Sequence, residues 1–107
     1  MDESAFESLA DRVLAKLQGQ IEDLLDDADV DLRGGILTVE LEDGREYVIN
    51  RHTPNRQIWL SSPLSGAAHF AHDAATGKWR STRDASELHQ VLGSEIGSLV
   101  GRAVTLD

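Results

Sequence analysis

Apolar residues recur at steps of three and four positions along the N-terminal part of the chain. They are Phe6, Leu9, Ala10, Val13, Leu14, Leu17, Ile21, Leu24 and Leu25. Because an α-helix has about 3.6 residues per turn, this spacing places them on one stripe and predicts a long first helix. Ser4 and Glu7 have the spacing of a capping box, so Ser4 is expected to be the N-cap. Gly19 lies inside the helix and is expected to weaken it there.

The middle of the chain alternates between apolar and polar residues instead, which is the pattern of β-strands with one buried face. The segment 37–42 alternates in this way, and the Asp43 and Gly44 that follow predict a hairpin turn. Before it, the pair Gly34 and Gly35 predicts a bend or a bulge. The later predicted strands are 45–52, 57–61, 68–72 and 78–81.

Helical spacing returns near the C-terminus, at Leu88, Val91, Leu92, Ile96, Leu99 and Val100. Asp84 has capping-box spacing to the glutamate three residues later, so we expect the second helix to open at Asp84 and to end at Gly101. Val104 and Leu106 are expected to pack beside the helices. The fold class is therefore α+β, with residues 1–107 in one domain. It is predicted to be a two-layer α/β sandwich, in which both helices cover the apolar face of a five- to seven-stranded antiparallel sheet.

One tryptophan is predicted to lie on the open face of this sheet. In the strand 57–61, Ile58 and Leu60 would face the core, so Trp59 would face solvent. The turn 53–55 contains proline and asparagine, and it predicts antiparallel pairing with the preceding strand. This pairing would form a platform of Asn50, Gln57, Trp59 and Ser61. An exposed tryptophan either covers its neighbours on an ordinary sheet or forms the centre of a partner contact, and alternation alone does not separate the two.

The net charge of −9 is distributed unevenly along the chain. Residues 1–43 contain thirteen acidic and three basic residues, whereas residues 44–107 contain six acidic and seven basic ones. An acidic N-terminal part disfavours nucleic acid and favours cations or a basic protein, although solubility alone also explains such charge. There is no cysteine, which excludes disulfides and thiolate ligands. No stretch approaches the roughly 20 apolar residues of a membrane span, so no membrane contact is expected.

Carboxylates are the main candidates for metal chemistry. They concentrate where the first helix meets the first strand, as Glu22, Asp23, Asp26, Asp27, Asp29 and Asp31. Hard cations prefer oxygen ligands, but the spacing is unlike an EF-hand loop, so binding is expected to be loose and poorly selective among divalent ions. An acidic run is also typical of a merely solvated face. No serine lies in a GxSxG setting, and His69 and His72 are expected on opposite faces of a strand, so no catalytic site is expected.

Several segments resemble the frataxin family. They are Gly34–Leu41 (GGILTVEL), Tyr47–Asn50 (YVIN) and Thr53–Pro63 (TPNRQIWLSSP), together with the acidic first helix. The resemblance runs in order over nearly the whole chain and implies the sandwich fold. It also implies weak binding of ferrous and ferric iron by carboxylates of the first helix and first strand. A further implication is docking on the cysteine desulfurase and scaffold complex that builds iron–sulfur clusters, where sulfur transfer is regulated.

The resemblance also implies roles for individual residues. The implied metal positions are Asp11, Glu22, Asp23, Asp26, Asp29 and Asp31, and the implied partner-binding positions are Asn50, Gln57 and Trp59. Ala15 and Gly19 stand where relatives often carry acids, which implies a lower iron capacity. The segment 67–78, which includes His69, differs from that of eukaryotic relatives, so no contact is carried over for it.

Three functions follow as hypotheses. The first is a non-enzymatic, iron-binding regulator of iron–sulfur cluster assembly, monomeric unless iron assembles it. The second is a ferroxidase that stores iron in oligomers. The third is a metal-free adaptor whose acidic face only docks electrostatically. Because the chain starts almost directly on its first helix, a bacterial cytoplasmic protein is expected rather than a processed mitochondrial one.

Overall fold

An α-helix lies at each end of the chain, and six strands lie between them in a computed structural model that describes all residues, Met1–Asp107. The elements are α1 (Glu3–Leu24), β1 (Asp29–Arg33), β2 (Ile36–Glu40), β3 (Glu46–His52), a short 3₁₀ helix (Thr53–Asn55), β4 (Gln57–Ser62), β5 (Gly66–Asp73), β6 (Lys78–Ser81) and α2 (Leu88–Val100). The strands form one antiparallel sheet in the order β1 to β6. Both helices pack on one face of it, which confirms the predicted sandwich.

The core lies between the helices and the inner face of the sheet. It contains 17 buried hydrophobic residues. Phe6 of α1 meets Trp79 of β6 edge to face, with ring centroids 6.0 Å apart. The predicted stripe of α1 is confirmed at its centre, since Ala10, Leu14 and Leu17 are fully buried. Trp79 is therefore the core tryptophan, because only 2% of it is exposed.

Both predicted helix starts are wrong by a few residues. Asp2, rather than Ser4, is the N-cap of α1 and accepts a hydrogen bond from the amide of Ala5 at 2.7 Å. Asp84 does not open α2. Its carboxylate instead accepts the amide of Ser86 within the preceding turn, since a short acidic side chain can close a turn as readily as it caps a helix.

Glu87 is the observed N-cap of α2. Its carboxylate accepts hydrogen bonds from the backbone amides of His89 and Gln90. Glu87 also forms an isolated antiparallel bridge with Arg80 of β6, so its backbone is extended and the helix cannot start earlier. This tertiary pairing is invisible to a local capping pattern, and it moves the start of α2 by one turn.

The β1–β2 hairpin turns on Gly34 and Gly35, which have φ angles of +59° and +78°. Positive φ at both central residues is the requirement of a type I′ turn, and glycine meets it without strain. The expected bend is therefore a two-residue hairpin, and it sets the register in which Arg33 lies opposite Ile36.

The residues after α2 turn back along it. Gly101 has a φ of +74° and ends the helix as predicted, and Leu106 is buried in the core. A Cβ atom added to Gly97 would lie 2.8 Å from the carbonyl oxygen of Arg102, and one added to Gly93 would lie 2.9 Å from that of Val104. These two glycines therefore allow the backbone of the C-terminal segment to lie directly against α2.

A polar cluster ties the sheet to α2. Glu95 of α2 accepts hydrogen bonds from the hydroxyls of Tyr47, at 2.9 Å, of Ser62 and of Ser65, at 2.6 Å. Tyr47 is a buried residue of β3. Burial, next the hydrogen bond to Glu95 and then the negative charge of Glu95 raise the pKa of Tyr47 well above its ordinary value of 10.0. The fold therefore favours the neutral phenol.

This raised pKa predicts a loss of stability at alkaline pH. A folded-state pKa above the unfolded-state value gives stability that is fully present below pH 10 and is lost as the pH rises further. We expect urea unfolding to show a free energy of unfolding that falls between about pH 10 and pH 11.5. Tyr47→Phe is the matched control, because it keeps the ring and removes the titrating hydroxyl. If both proteins lose stability equally over this range, Tyr47 is not the cause.

Candidate functional site

Trp59 lies on the face of the sheet opposite the helices. Its neighbours in β4, Ile58 and Leu60, are buried in the core, whereas Trp59 itself is half-buried. In the register of the sheet it lies opposite Asn50 of β3 and opposite His69 of β5. The prediction that Trp59 faces away from the helices is confirmed.

Two histidines stack on this tryptophan. The ring centroids of His52 and Trp59 are 3.6 Å apart with an interplanar angle of 8°, and those of Trp59 and His69 are 4.2 Å apart at 11°. The indole Nε1–H donates to the Oε1 of Gln57 at 2.9 Å. The indole is therefore fixed on both faces and at its nitrogen, so its orientation is set before any partner arrives.

The three predicted partner-binding residues, Asn50, Gln57 and Trp59, lie on this surface together with His52 and His69. We call these five residues the Trp59 platform. Asn50 donates to the carbonyl oxygen of Arg51 at 3.2 Å, which leaves its amide oxygen free of any protein hydrogen bond. Sequence analysis missed the stacking itself. Two signals were present in the sequence: His52 follows Asn50 by two residues along β3 and so shares its face, and His69 alternates with the buried Phe70 along β5.

His72 lies on the other face of β5, as predicted. Its ring centroid is 5.1 Å from that of the buried Trp79, on the side covered by the helices. His69 and His72 therefore cannot act together as ligands. This separation follows from the alternation of side chains along a strand.

The acids of the first half of α1 are engaged by a cation of the sheet. Asp11 accepts a charged hydrogen bond from the Nη1 of Arg51, and Glu7 lies 3.7 Å from its Nε. Glu7 also accepts a hydrogen bond from the hydroxyl of Thr53 at 3.0 Å. The Arg51 side chain is only 25% exposed, so these contacts tie α1 to β3. A metal ion at Asp11, the first of the implied metal positions, would compete with this guanidinium.

Arg51 was also missed by sequence analysis, although a signal was present. It shares the alternation of Tyr47 and Ile49, whose side chains are buried under the helices. A guanidinium on the inner face of a sheet needs an acidic partner on the covering element. The two acids of α1 supply it.

The other predicted metal positions lie at the opposite end of α1 and along β1. We call them the acidic edge: Glu22, Asp23, Asp26, Asp29 and Asp31. Asp29 and Asp31 are exposed on one face of β1, which is the edge strand of the sheet. Asp31 also lies 3.5 Å from Arg33. No group of three or more His, Cys, Asp or Glu side chains anywhere in the protein is arranged to hold a metal ion.

Like charges face each other beside this edge. Asp29 of β1 lies directly opposite Glu40 of β2, and Glu40 lies opposite Glu46 of β3, all three being exposed. Like charges directly opposite each other destabilise a sheet. Asp29 and Asp31 share the open face of the sheet with the Trp59 platform, but they lie on the edge strand β1, whereas the platform lies on β3, β4 and β5. The acidic edge thus gathers negative charge at one side of the molecule, and the platform presents aromatic and amide groups. Neither helix combines the length and the apolar character that crossing a bilayer requires.

Comparison with known proteins gives one consistent result. Residues 1–102 match the family described as a frataxin-like domain. The chain is 35% identical over 107 residues to the iron-sulfur cluster assembly protein CyaY of Neisseria meningitidis, with 100% of this chain and 97% of that protein covered.

Solved structures agree. A frataxin from Psychromonas ingrahamii superposes with a TM-score of 0.84 at 32% identity, covering 98% of this chain and 97% of that one. A trimeric frataxin from the yeast Saccharomyces cerevisiae, complexed with ferrous iron, has a TM-score of 0.76 at 37% identity, covering 88% and 87%. With the sandwich, the segment around Trp59 and the matches over the full length in agreement, the chain belongs to the frataxin family.

Proposed function

We propose that this protein acts in iron–sulfur cluster assembly by docking on the cysteine desulfurase and scaffold complex through the Trp59 platform. The observation that carries the proposal is the indole held between two imidazoles on the open face of the sheet. Tryptophan is enriched at the energetic centres of protein interfaces. Its relative in N. meningitidis is an iron-sulfur cluster assembly protein, and we therefore assign the docking to that process.

The platform supports docking in two ways. A fixed indole loses little conformational freedom on binding, so more of the contact energy appears as affinity. The amide groups of Asn50 and Gln57 lie on the same surface and can exchange hydrogen bonds with a partner. We propose that this surface faces the scaffold and regulates sulfur transfer, in the cytoplasm of a bacterium.

We propose further that the acidic edge binds iron weakly. Exposed carboxylates suit hard cations, and a yeast relative is complexed with ferrous iron. The carboxylates are spread along a helix end and an edge strand, so a bound ion would keep most of its water and be exchanged easily for other divalent ions. Asp11, which already holds Arg51, would contribute least.

The proposed role is not enzymatic. A ferroxidase centre needs ligands that surround the metal closely, whereas the acidic edge offers separate, exposed carboxylates. We expect no catalysed oxygen consumption when ferrous iron is added. Consumption that disappears in the variant Asp23→Ala with Asp26→Ala would favour the ferroxidase hypothesis instead.

A pull-down from a lysate of the source organism tests the docking. The wild-type protein is expected to retain the cysteine desulfurase and the scaffold, and a bait carrying Trp59→Ala is expected to retain much less. Both baits should retain equal amounts of any non-specific protein. If the wild-type bait retains neither component at low ionic strength, the proposed docking is wrong.

Neutralising Asp26 and Asp29 of the acidic edge, together with the neighbouring Asp27, should weaken metal binding and stabilise the fold. We expect Asp26→Asn with Asp27→Asn and Asp29→Asn to weaken iron binding, and to raise the free energy of unfolding by about 0.5 to 1 kcal/mol because like-charge repulsion falls. Iron titration followed by amide chemical shifts, and urea unfolding, measure the two effects.

A charge-matched control distinguishes the loss of particular carboxylates from the loss of overall negative charge. The variant Glu3→Gln with Glu46→Gln and Asp107→Asn also removes three negative charges, but outside the acidic edge. It should keep most of the iron affinity. If the acidic-edge variant unfolds more easily than wild type, those carboxylates have a structural role, and if both variants lose equal affinity, the ion has no preferred site.

A further inference from the structure

A groove lies at the end of the molecule where both helices finish. It has a volume of about 680 Å³ and is bounded by the end of α1, the β2–β3 turn and the last turn of α2. Its apolar lining consists of Leu24, Leu25, Ala28, Leu41, Leu99 and Val100. All six are only partly buried against the core, so the groove exposes apolar surface. A cleft of this size holds one or a few side chains of a partner.

Acidic residues surround this apolar lining. They are Asp26, Asp27, Glu42 and Asp43. Arg45 is the only basic residue in the lining, and its Nε donates to the Oδ2 of Asp43 at 2.8 Å. The backbone amide of Arg45 also donates to Asp43, and these contacts hold the pKa of that carboxyl below its usual value. The rim therefore keeps a net negative charge after its one internal ion pair is counted.

The helices add to this negative charge. The C-terminal end of an α-helix carries a partial negative charge from its unpaired carbonyl groups. Both α1 and α2 end at the groove, at Leu24 and Val100, and neither has a basic residue in its last turn. Two helix ends and four carboxylates thus act in the same direction, and Arg45 is the one basic residue of the lining that compensates them.

We propose that this groove is a docking site for a basic amphipathic segment of a partner protein, with apolar side chains on the leucines and lysine or arginine on the acidic rim. A free metal ion would not use the apolar lining, and nucleic acid or an acidic peptide would be repelled. The site is distinct from the Trp59 platform, and it does not depend on the proposed role in cluster assembly.

A defined peptide tests the proposal without any partner protein. The probe is a fluorescein-labelled synthetic peptide of alternating lysine and leucine pairs, and the control peptide has serine in place of every leucine. Binding is measured by fluorescence anisotropy at physiological ionic strength. We expect the leucine peptide to bind at least about tenfold more tightly than the serine peptide, because only it can fill the apolar lining.

Matched charge reversals localise the binding. Asp26→Lys with Asp27→Lys should lower the affinity for the leucine peptide by about tenfold or more, because both residues line the groove. Glu3→Lys with Asp107→Lys changes the net charge by the same amount, but both residues lie outside the groove. This variant should lower the affinity for the leucine peptide by less than about threefold, because salt screens distant charges. Circular dichroism checks that both variants are folded.

The outcomes are decisive either way. Equal losses in both variants, equal binding of the two peptides, or no binding of the leucine peptide would overturn the groove as a docking site. Since no desulfurase is present in the assay, none of these results bears on the Trp59 platform.

Discussion

Replacing Gly97 with alanine is expected to lower the free energy of unfolding by roughly 2 kcal/mol, although alanine normally favours a helix. The reason is the close approach of the C-terminal segment. The added Cβ would lie 2.8 Å from the carbonyl oxygen of Arg102 and 3.5 Å from the amide nitrogen of Val104. Both are backbone atoms, so the segment must move away as a unit, and the buried Leu106 would be drawn partly out of the core.

Gly19→Ala is the matched control for this prediction. Gly19 lies inside α1, which runs through it without a break, and a Cβ there would meet no atom within 4 Å. The same substitution should therefore stabilise the protein by about 0.5 to 1 kcal/mol, the ordinary gain from glycine to alanine in a helix. Urea unfolding of both variants measures the difference. A Gly97→Ala protein as stable as wild type would show that the C-terminal segment does not pack on α2 in solution.

The order of the elements could be predicted because each has a strong local pattern. The stripe of α1 and the alternation of β4 reflect the two periods at which side chains meet one core, and the structure confirms both. The helix caps could not be predicted reliably. Asp2 and Glu87 compete with equally suitable neighbours, and the bridge between Arg80 and Glu87 that decides the second case is a tertiary contact.

The sequence could predict on which face of the sheet Trp59 lies, but not how the neighbouring side chains are arranged around it. Strand alternation placed Trp59 on the open face, yet the stack joins three adjacent strands and depends on the register of both pairs. Likewise, the spacing along α1 gathers its acids on the solvated side, but only the orientation of the helix on the sheet shows that Glu7 and Asp11 meet Arg51. From the sequence pattern these acids form one group. In the fold, the acids near Arg51 are separate from those of the acidic edge.

This division bears on how the acids act. Those near Arg51 contribute to the packing of α1 on β3, so their removal costs stability. Those of the acidic edge have no such partner, apart from the contact of Asp31 with the exposed Arg33, and their mutual repulsion opposes folding. A protein that retains unpaired acids at one edge, at a cost in stability, is expected to use them for something outside itself.

Trp59→Ala is expected to lower the affinity for the cysteine desulfurase and scaffold complex by more than about 1 kcal/mol, and the free energy of unfolding by about 1 kcal/mol or less. The indole is half-buried and outside the core, so its loss exposes two imidazoles and leaves no internal cavity. Trp79→Ala is the contrasting variant. Because the Trp79 indole is 2% exposed and packs on Phe6, its removal should lower the free energy of unfolding by about 3 to 5 kcal/mol.

Titration calorimetry with the purified complex, together with urea unfolding of each variant, separates contact from fold. Trp59→Phe should retain part of the affinity, since a phenyl ring can still stack between His52 and His69 but cannot donate to Gln57. A Trp59→Ala protein that binds like wild type would remove the platform from the interface. A loss of stability as large as that of Trp79→Ala would mean that the stack holds the sheet together, and docking would then have to be assigned to another surface.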